Sequence, residues 1–182
     1  MAGQLMRVDM SEMFSPERVT SVCKQYGLIP GQAMDIKNGF DFDLAADRKK
    51  AWDSILQDKP KLVIGSPPCT FFSIANQSPL DPRDLEQARG LMSFAVEMCN
   101  PQLKSGRHFI LEQPSTSRAW SEHESVMKLR ITEGVIETEV HQCMYGLTTV
   151  DWQGSAPAKK PTRVITSHPA LAEALTRRCD GS

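Results

Sequence analysis

Short apolar runs alternate with amphipathic stretches along the chain, and the two patterns predict different elements. Within residues 61–65, the run Leu-Val-Ile-Gly is apolar without interruption, which is typical of a strand buried on both faces of a sheet. The predicted strands therefore cover residues 5–14, 31–36, 61–65 and 107–114, with two closing strands at residues 134–146 and 162–167.

The amphipathic stretches lie between these strands and predict helices. In residues 83–99 the apolar side chains recur at helical spacing. For the first helix, Ser15 is suited to the N-cap, Pro16 to the first turn and Gly27 to the C-terminal end. Helices are therefore predicted at residues 15–27, 44–57, 83–99, 117–129 and 168–178.

Strands that alternate with helices of this length predict βαβ units, and hence an α/β fold with a mostly parallel sheet covered by helices on both faces. The 182 residues suit a single domain, residues 1–182, since domains usually contain ~100–200 residues. Hydrophobic residues make up 40% of the chain, enough for a buried core. No apolar stretch approaches the ~20 residues that span a bilayer, so membrane insertion is not expected.

Charge and cysteine content narrow the possible partners. The net charge is -1, whereas nucleic-acid-binding domains usually carry an overall basic face. Binding to a polyanion would therefore use local patches, with ordinary solvated charge as the alternative. The candidate patches are Lys159, Lys160 and Arg163 in one stretch, and Arg177 and Arg178 near the end of the chain.

The five cysteines are scattered, without zinc-knuckle spacing and without a signal peptide before them. This usage predicts free thiols in a reducing cytoplasm. Cys143 and Cys179 could share a metal ion with a nearby histidine, but two buried thiols are the favoured interpretation.

In parallel α/β sheets, ligands bind beyond the carboxyl ends of the strands. An acidic residue after the second strand, here Asp35, is where nucleotide-binding proteins accept hydrogen bonds from ribose hydroxyls. The glycine-rich phosphate fingerprint is missing, which disfavours a dinucleotide or a nucleoside triphosphate but not a nucleoside. The segments expected at this rim are Phe14 and Ser15, Asp35, Ser66 to Cys69, and Glu112 to Pro114.

Two rim residues carry candidate chemistry. Cys69 directly follows the stiff pair Pro67 and Pro68, which would hold an exposed thiol in one direction. A reactive thiolate needs a nearby cation or dipole, and a buried apolar thiol is the alternative. Glu112 ends the next predicted strand, where it could act as a general acid, hold a protonated base or cap a helix.

Several motifs, taken in order, resemble the cytosine carbon-5 methyltransferases. Gly-Ser-Pro-Pro-Cys-Thr-Phe-Phe-Ser at residues 65–73 is similar to the Pro-Pro-Cys nucleophile motif of that family. Leu-Glu-Gln-Pro at residues 111–114 is similar to its Glu-Asn-Val motif, and Glu-Met-Phe-Ser-Pro at residues 12–16 to its Asp-Leu-Phe-Ser-Gly. Residues 145–165 resemble the block that carries its Gln-x-Arg-x-Arg motif.

The resemblance implies a Rossmann-like class I methyltransferase fold and an S-adenosylmethionine-dependent reaction at carbon 5 of cytosine. Cys69 would add to carbon 6 of the ring, which makes carbon 5 nucleophilic. Glu112 would hydrogen-bond the ring nitrogen and the exocyclic amine, and Arg163 would bind the carbonyl oxygen of the base.

The same resemblance assigns the remaining positions to a cofactor site and a substrate loop. Phe14 would stack near the cofactor, Ser15 would bind its carboxylate, and Asp35 would accept hydrogen bonds from its ribose. The remaining cofactor-binding positions are Ile36, Asp41 or Asp43, Ser66 and Pro67, and the substrate loop contains Pro68, Thr70, Phe72 and Ser73.

The chain also departs from the family pattern. Pro16 stands where the family has glycine, and Pro161 stands where it has its first arginine, with Lys160 beside it. The segment between Asp35 and Lys61 is short, so an edge strand of the sheet is expected to be missing. Little chain follows Ile165, so no separate target-recognition domain is expected.

DNA is the expected substrate, either as a duplex or as a single strand. With a DNA substrate, the protein is expected in the cytoplasm in association with the nucleoid. RNA or a free nucleotide is the alternative. A partner protein or a second subunit could also supply target recognition, because taking a base out of a duplex requires a grip on its strands. Another alternative is a catalytically degenerate subunit that binds nucleic acid or a partner. A methyltransferase acting on the exocyclic amine ranks lower, because a cysteine has no role in direct attack by an amine.

Overall fold

The computed structural model describes residues 8–73, 81–152 and 154–180. Six strands form one sheet in the order β2-β1-β3-β4-β8-β5, and a separate hairpin pairs β6 with β7. The strands are β1 Met10–Met13, β2 Pro30–Met34, β3 Leu62–Gly65, β4 His108–Pro114, β5 Ile136–His141, β6 Thr148–Asp151, β7 Gly154–Pro157 and β8 Pro161–Thr166.

The helices lie between these strands, as predicted. The long helix begins at Pro82 because the Asp81 side chain accepts a hydrogen bond from the amide of Arg83. The stretch predicted as one helix at residues 117–129 is divided at His123 into two. The helices are α1 Val19–Val22, α2 Ala45–Asp58, α3 Pro82–Lys104, α4 Ala119–Glu122, α5 Glu124–Arg130 and α6 Pro169–Ala174.

The fold is α/β, and its main sheet is mostly parallel. Strands β2, β1, β3 and β4 run parallel to one another, whereas β8 is antiparallel to both β4 and β5. The chain leaves β1 to form β2 on one side and returns to form β3 on the other side. The carboxyl ends of β1 and β3 therefore mark the point where strand order reverses, which is where open α/β sheets bind ligands.

The main core covers one face of the sheet, against α2, α3, α4 and α5. Met13, Val63 and Phe109 point into this core from three neighbouring strands and are each less than 3% exposed. On the opposite face α1 contacts β1 and β2, and α6 contacts β5 and β8. Helices thus lie on both faces, and the second face is open between α1 and α6.

Strand β2 is the edge of the sheet in the described part of the chain. The segment between β2 and β3 contains α2 and a short 3-10 helix, Ile36–Asn38, but no strand. This agrees with the prediction that an edge strand is missing.

The start of the first helix differs from the prediction. The helix α1 begins at Val19 rather than near Ser15, and the side chain of its N-cap residue, Arg18, makes no capping hydrogen bond. The carboxylate of Glu12 accepts the amides of Arg18 (3.0 Å) and Thr20 (2.7 Å) instead. A capping group from a strand replaced the expected local cap, while Gly27 ends the segment in the left-handed conformation, as predicted.

The hairpin of β6 and β7 lies between the two predicted closing strands, in residues to which no element was assigned, because its polar sequence carries no apolar alternation. Several predicted elements are also shorter in the structure. Of the strand predicted at residues 5–14, residues 5–7 lie outside the described residues and β1 occupies Met10–Met13. Strand β5 occupies part of residues 134–146, and α6 occupies part of residues 168–178. Among the described residues, no helix has the length and apolar character needed to cross a membrane.

Candidate active site at the carboxyl edge of the sheet

The loop after β3 places Cys69 at the carboxyl edge of the sheet. The amide of Ser66 donates to the carbonyl of Met13 at 3.2 Å, which ties the loop to the end of β1. The buried side chain of Gln113 donates from Nε2 to the carbonyl of Pro67. The first turn of the loop is therefore anchored to both strands that flank β3.

The far end of the same loop is anchored by Arg118. Its amide donates to the carbonyl of Phe72 at 2.8 Å, and its guanidinium donates to the carbonyl of Phe71 at 3.2 Å. Phe72 is 3% exposed and packs in the main core. Cys69, half-buried, lies between the two anchors and directly precedes a 3-10 helix, Thr70–Phe72.

The remaining positions of the predicted substrate loop differ in exposure. Pro68 and Thr70 are exposed, and Ser73 is half-buried. Phe72 is held in the core, whereas Pro68 and Thr70 face solvent. Cys69 is therefore partly accessible to solvent on a loop whose backbone is fixed at both ends.

Glu112 lies on β4, the strand next to the Cys69 loop. Burial raises the pKa of Glu112, and a hydrogen bond from Ser66 and the charges of Lys160 and Arg18 oppose this rise. One carboxyl oxygen, Oε2, is buried and has no hydrogen-bond partner among the described residues. Buried polar atoms are nearly always paired, so an unpaired oxygen here is available to a ligand.

Glu112 also faces a cavity of about 520 Å³ on the open face of the sheet. Its polar walls come from Glu112, Gln142, Tyr145 and Thr162, and most of its other walls are apolar. Gln142 Nε2 donates to the hydroxyl of Thr162 at 2.8 Å. The cavity thus combines apolar surface with a few polar groups, which is typical of small-molecule sites.

Arg163 is not brought to this cavity. In the pairing of β4 with β8, Val164 lies opposite Glu112 and Arg163 lies opposite Gln113. Because neighbouring residues of a strand point to opposite faces, Arg163 and Glu112 lie on different sides of the sheet.

The contacts of Arg163 are with side chains of the fold, on the side of the sheet away from the cavity. Its guanidinium lies 3.3 Å from Glu137 and 5.5 Å from the centre of the Trp120 ring. The role in binding a base that the family resemblance assigns to Arg163 therefore has no support in its placement. The cations whose charges act on Glu112 are Lys160 and Arg18.

Phe14 follows β1 at the point where strand order reverses. Its φ of 57° is in the left-handed region, which is rare for an aromatic residue and costs free energy. The ring packs at 4.7 Å from Phe42 and 6.4 Å from Phe94, between centroids. Phe14 therefore lies where the cofactor is expected, with its ring packed against two core aromatics.

Ser15 is buried beside Glu12 and does not cap the helix. Its hydroxyl donates to Glu12 Oε2 at 3.2 Å, and Glu12 Oε1 also accepts the hydroxyl of Thr20 at 2.6 Å. Burial raises the pKa of Glu12, but the hydrogen bonds from Thr20 and nearby amides outweigh burial, so that its pKa is lowered. The hydroxyl that was expected to bind a cofactor carboxylate is used by the protein's own carboxylate.

The acidic residues predicted for the cofactor lie after β2 on the same rim. Asp35 caps the 3-10 helix by accepting the amide of Lys37 at 3.0 Å. Beside it, the side chain of Ile36 is 69% exposed. Asp41 accepts the amide of Asp43 at 3.0 Å. The rim thus offers carboxylate oxygens next to an exposed apolar side chain.

The cysteines differ from the prediction at one pair. Cys143 and Cys179 are half-buried rather than buried, and burial together with the neighbouring thiol of Cys179 raises the pKa of Cys143. No group of three or more metal-binding side chains occurs in residues 8–73, 81–152 and 154–180. Cys23 and Cys99 are buried thiols.

Sequence reasoning did not assign roles to three residues that organise this site. Gln113 and Arg118 hold the Cys69 loop, and Glu12 holds the loop after β1. Gln113 carried one usable signal, since a polar residue next to a strand-end glutamate on a buried strand needs a hydrogen-bond partner.

Comparisons with known proteins leave the family of the chain open. No protein-family model and no curated protein matches it. Among the solved structures that match is the precorrin 8w decarboxylase of Methanobacterium thermoautotrophicum, with a TM-score of 0.40 and 9% identity over 89% of this chain and 82% of that one. At this TM-score the likeness identifies neither a shared fold nor a shared activity.

Proposed function

We propose that this chain is an S-adenosylmethionine-dependent methyltransferase of class I fold that acts on carbon 5 of cytosine through a covalent adduct with Cys69. The observation that carries the proposal is that Cys69 and Glu112 lie at the ends of neighbouring strands, Cys69 in the loop after β3 and Glu112 near the carboxyl end of β4. Ser66 bears on both, because it begins the Cys69 loop and its side chain opposes the rise in the pKa of Glu112.

The chemistry of the two groups is complementary. Attack of the Cys69 thiolate on carbon 6 of cytosine forms a carbon–sulfur bond and moves the electrons of the carbon 5–carbon 6 bond onto carbon 5. The ring nitrogen gains basicity in this step, and a neighbouring acid that donates a proton to it lowers the barrier. Glu112 suits this role because its raised pKa favours the protonated form.

After transfer of the methyl group, a base removes the proton from carbon 5, the carbon–sulfur bond breaks and the thiolate is regenerated. Arg163 takes no part in this scheme. Lys160 and Arg18 are the cations whose charges act on Glu112.

The residues after β1 and β2 fit the cofactor in part. An adenosine group combines ribose hydroxyls with an apolar ring, and Asp35 next to the exposed Ile36 offers a carboxylate beside an apolar surface. Asp41 or Asp43 would accept the adenine amine, and Phe14, Ser66 and Pro67 would line the site. When bound, S-adenosylmethionine supplies the methyl group as an electrophile. Ser15 is engaged with Glu12, so binding of the cofactor carboxylate is not assigned to it.

The test is methyl transfer from labelled S-adenosylmethionine to oligonucleotides that contain cytosine, as DNA, as RNA or as the free nucleotide. We expect transfer by the wild type, none by Cys69→Ser, and unchanged transfer by Cys143→Ser, which removes a half-buried thiol elsewhere. An oligonucleotide with 5-fluorocytosine should trap an adduct that is absent in Cys69→Ser. No transfer to any of these substrates, together with no cofactor binding by calorimetry, would overturn the proposal.

A second candidate is a methyltransferase-like subunit that binds nucleic acid or a partner without catalysis. The placement of Arg163 away from Glu112 and the engagement of Ser15 by Glu12 favour it. This candidate expects Cys69→Ala to bind nucleic acid as the wild type does while neither protein transfers a methyl group.

A further inference from the structure

The two basic stretches that are distant in sequence meet at the end of β5. Gln142 donates from its amide to the carbonyl of Lys160 at 3.3 Å, and His141 donates from its amide to the carbonyl of Arg177 at 2.9 Å. Lys160 and Arg177 are thereby held by two consecutive residues. We call the surface formed by Lys159, Lys160, Arg177 and Arg178 the basic edge.

The basic edge borders the cavity that contains Glu112. Tyr145 lines that cavity, and the guanidinium of Arg177 lies 5.7 Å from the centre of its ring. From the other side, the charge of Lys160 acts on Glu112. Arg178 contributes less free charge, because Glu139 lies 3.7 Å from it. A polyanion along the basic edge would therefore pass the mouth of the cavity.

The hairpin of β6 and β7 extends from the same place. The amide of Ala158 donates to the carbonyl of Leu147 at 2.9 Å and closes the base of the hairpin, directly before Lys159. Near the tip, Trp152 is 89% exposed and Val150 is 77% exposed. An indole with this exposure has no packing role in the fold among the described residues, and aromatic side chains on the same surface as a positively charged groove are stacking platforms for unpaired bases.

We infer that the basic edge and Trp152 together bind single-stranded nucleic acid and present one of its bases to the Glu112 cavity. Phosphates would contact Lys159, Lys160 and Arg177, and a base would stack on Trp152. A duplex is disfavoured because taking a base out of it costs about a few kcal/mol and requires a grip on both strands. This inference rests on the proposed function only for the fate of the presented base, not for binding.

The experiment measures binding of fluorescent oligonucleotides by anisotropy without cofactor and in a Cys69→Ser background, so that catalysis plays no part. Single-stranded DNA, single-stranded RNA and the matching DNA duplex form three arms, and the first two distinguish the sugar. We expect the single strands to bind at least about tenfold more tightly than the duplex.

Variants locate the binding surface. Trp152→Ala should weaken single-strand binding about 5- to 150-fold, in the range measured for loss of one stacked base, and Trp152→Phe should restore part of it. Lys159→Ala with Lys160→Ala should lower the slope of log affinity against log salt by about 1.4, since each phosphate contact on a single strand contributes about 0.7. The control, Lys24→Ala with Lys49→Ala, removes the same charge from exposed positions near the opposite edge of the sheet.

Circular dichroism of each variant confirms folding before binding is compared. Equal weakening by the control pair, no effect of Trp152→Ala in a folded protein, or duplex binding as tight as single-strand binding would overturn the inference. Any of these results would leave the methyl-transfer assay with Cys69→Ser as an independent test of the proposed function.

Discussion

Glu12 and Glu112 are two carboxylates on the same face of the sheet, near the carboxyl ends of β1 and β4. Glu12 pairs with Ile64 and Ile64 pairs with Ile110, two residues before Glu112, so all four side chains project to one side. Arg18 serves both carboxylates, since its amide bonds Glu12 and its charge acts on Glu112. The two sites therefore differ less in location than in their hydrogen-bond partners.

Donors surround Glu12. Its oxygens accept hydrogen bonds from Ser15, Arg18 and Thr20. The bonds from Thr20 and Arg18 lower its pKa in spite of burial. The ionised carboxylate is a substitute for the missing N-cap of α1, and it joins β1 to the helix. A buried charge with this many partners stabilises the fold.

Glu112, in contrast, has fewer hydrogen-bond partners than its carboxyl oxygens can accept. Burial raises its pKa, and its Oε2 atom has no hydrogen-bond partner among the described residues. The fold obtains no evident benefit from such a group, and perturbed carboxyls that face cavities are typical of functional sites. The comparison teaches that the structural carboxylate and the candidate functional carboxylate are distinguished by whether the protein itself uses all of their oxygens.

The largest expected effect is on activity at Glu112. Glu112→Gln should lower methyl transfer about 10²- to 10³-fold, as loss of one group that stabilises developing charge does. The free energy of unfolding should stay the same or rise, because the amide removes a buried charge. Steady-state methyl transfer and urea unfolding measure the two quantities, with Glu97→Gln at an exposed position of α3 as the control. A variant that loses stability and activity together would show that Glu112 is structural.

The next largest effect is on stability at Glu12. Glu12→Ala should lower the free energy of unfolding by about 2–3 kcal/mol, because it leaves buried donors without an acceptor. Thr20→Val removes a single hydroxyl from the same cluster and should cost about 1 kcal/mol. Urea unfolding of both variants gives the comparison. If Glu12→Ala costs no more than Thr20→Val, the carboxylate does not hold the start of α1.

The smallest expected effect is on how the free energy of unfolding changes with pH, which should be opposite for the contributions of Glu12 and Glu112. The pKa of Glu12 is lowered from 4.5, so its stabilisation is present above that value and is lost as pH falls through the folded-state pKa. The pKa of Glu112 is raised from 4.5, so its cost is absent at lower pH and grows as pH rises from 4.5 through the folded-state pKa.

Unfolding of the wild type, Glu12→Gln and Glu112→Gln at a series of pH values tests this contrast. We expect the deficit of Glu12→Gln to shrink in acid and the advantage of Glu112→Gln to appear only toward neutral pH. Differences that change with pH in the same direction for both variants would contradict the assignment.

Much of the fold could be predicted from local pattern. The strand at residues 61–65 and the strand at residues 107–114 appear close to their predicted bounds, because uninterrupted apolar runs leave few other conformations. Gly27 ends its segment as expected. The hairpin of β6 and β7 was missed, because polar strands exposed on both faces carry no periodic signal.

The sequence predicted which edge of the sheet carries the candidate site, but not the side of the sheet to which each side chain points. The rule for parallel sheets placed Cys69 and Glu112 on one rim, since it depends only on where strands end. The side of the sheet on which Arg163 lies depends on pairing with β4, and a shift of one residue would reverse it. That pairing is set by contacts distant in sequence.

By itself, then, the amino-acid sequence determined the order of the six strands of the main sheet, the rim that carries Cys69 and Glu112, and the two basic stretches. Tertiary structure alone decided that Glu12 replaces a local helix cap, that Gln113 and Arg118 hold the Cys69 loop, and that Lys160 rather than Arg163 acts on Glu112. The physical reason is the distance along the chain over which each kind of interaction acts. Apolar periodicity and turn residues act between near neighbours, whereas the partners of a buried carboxylate come from whichever elements pack beside it.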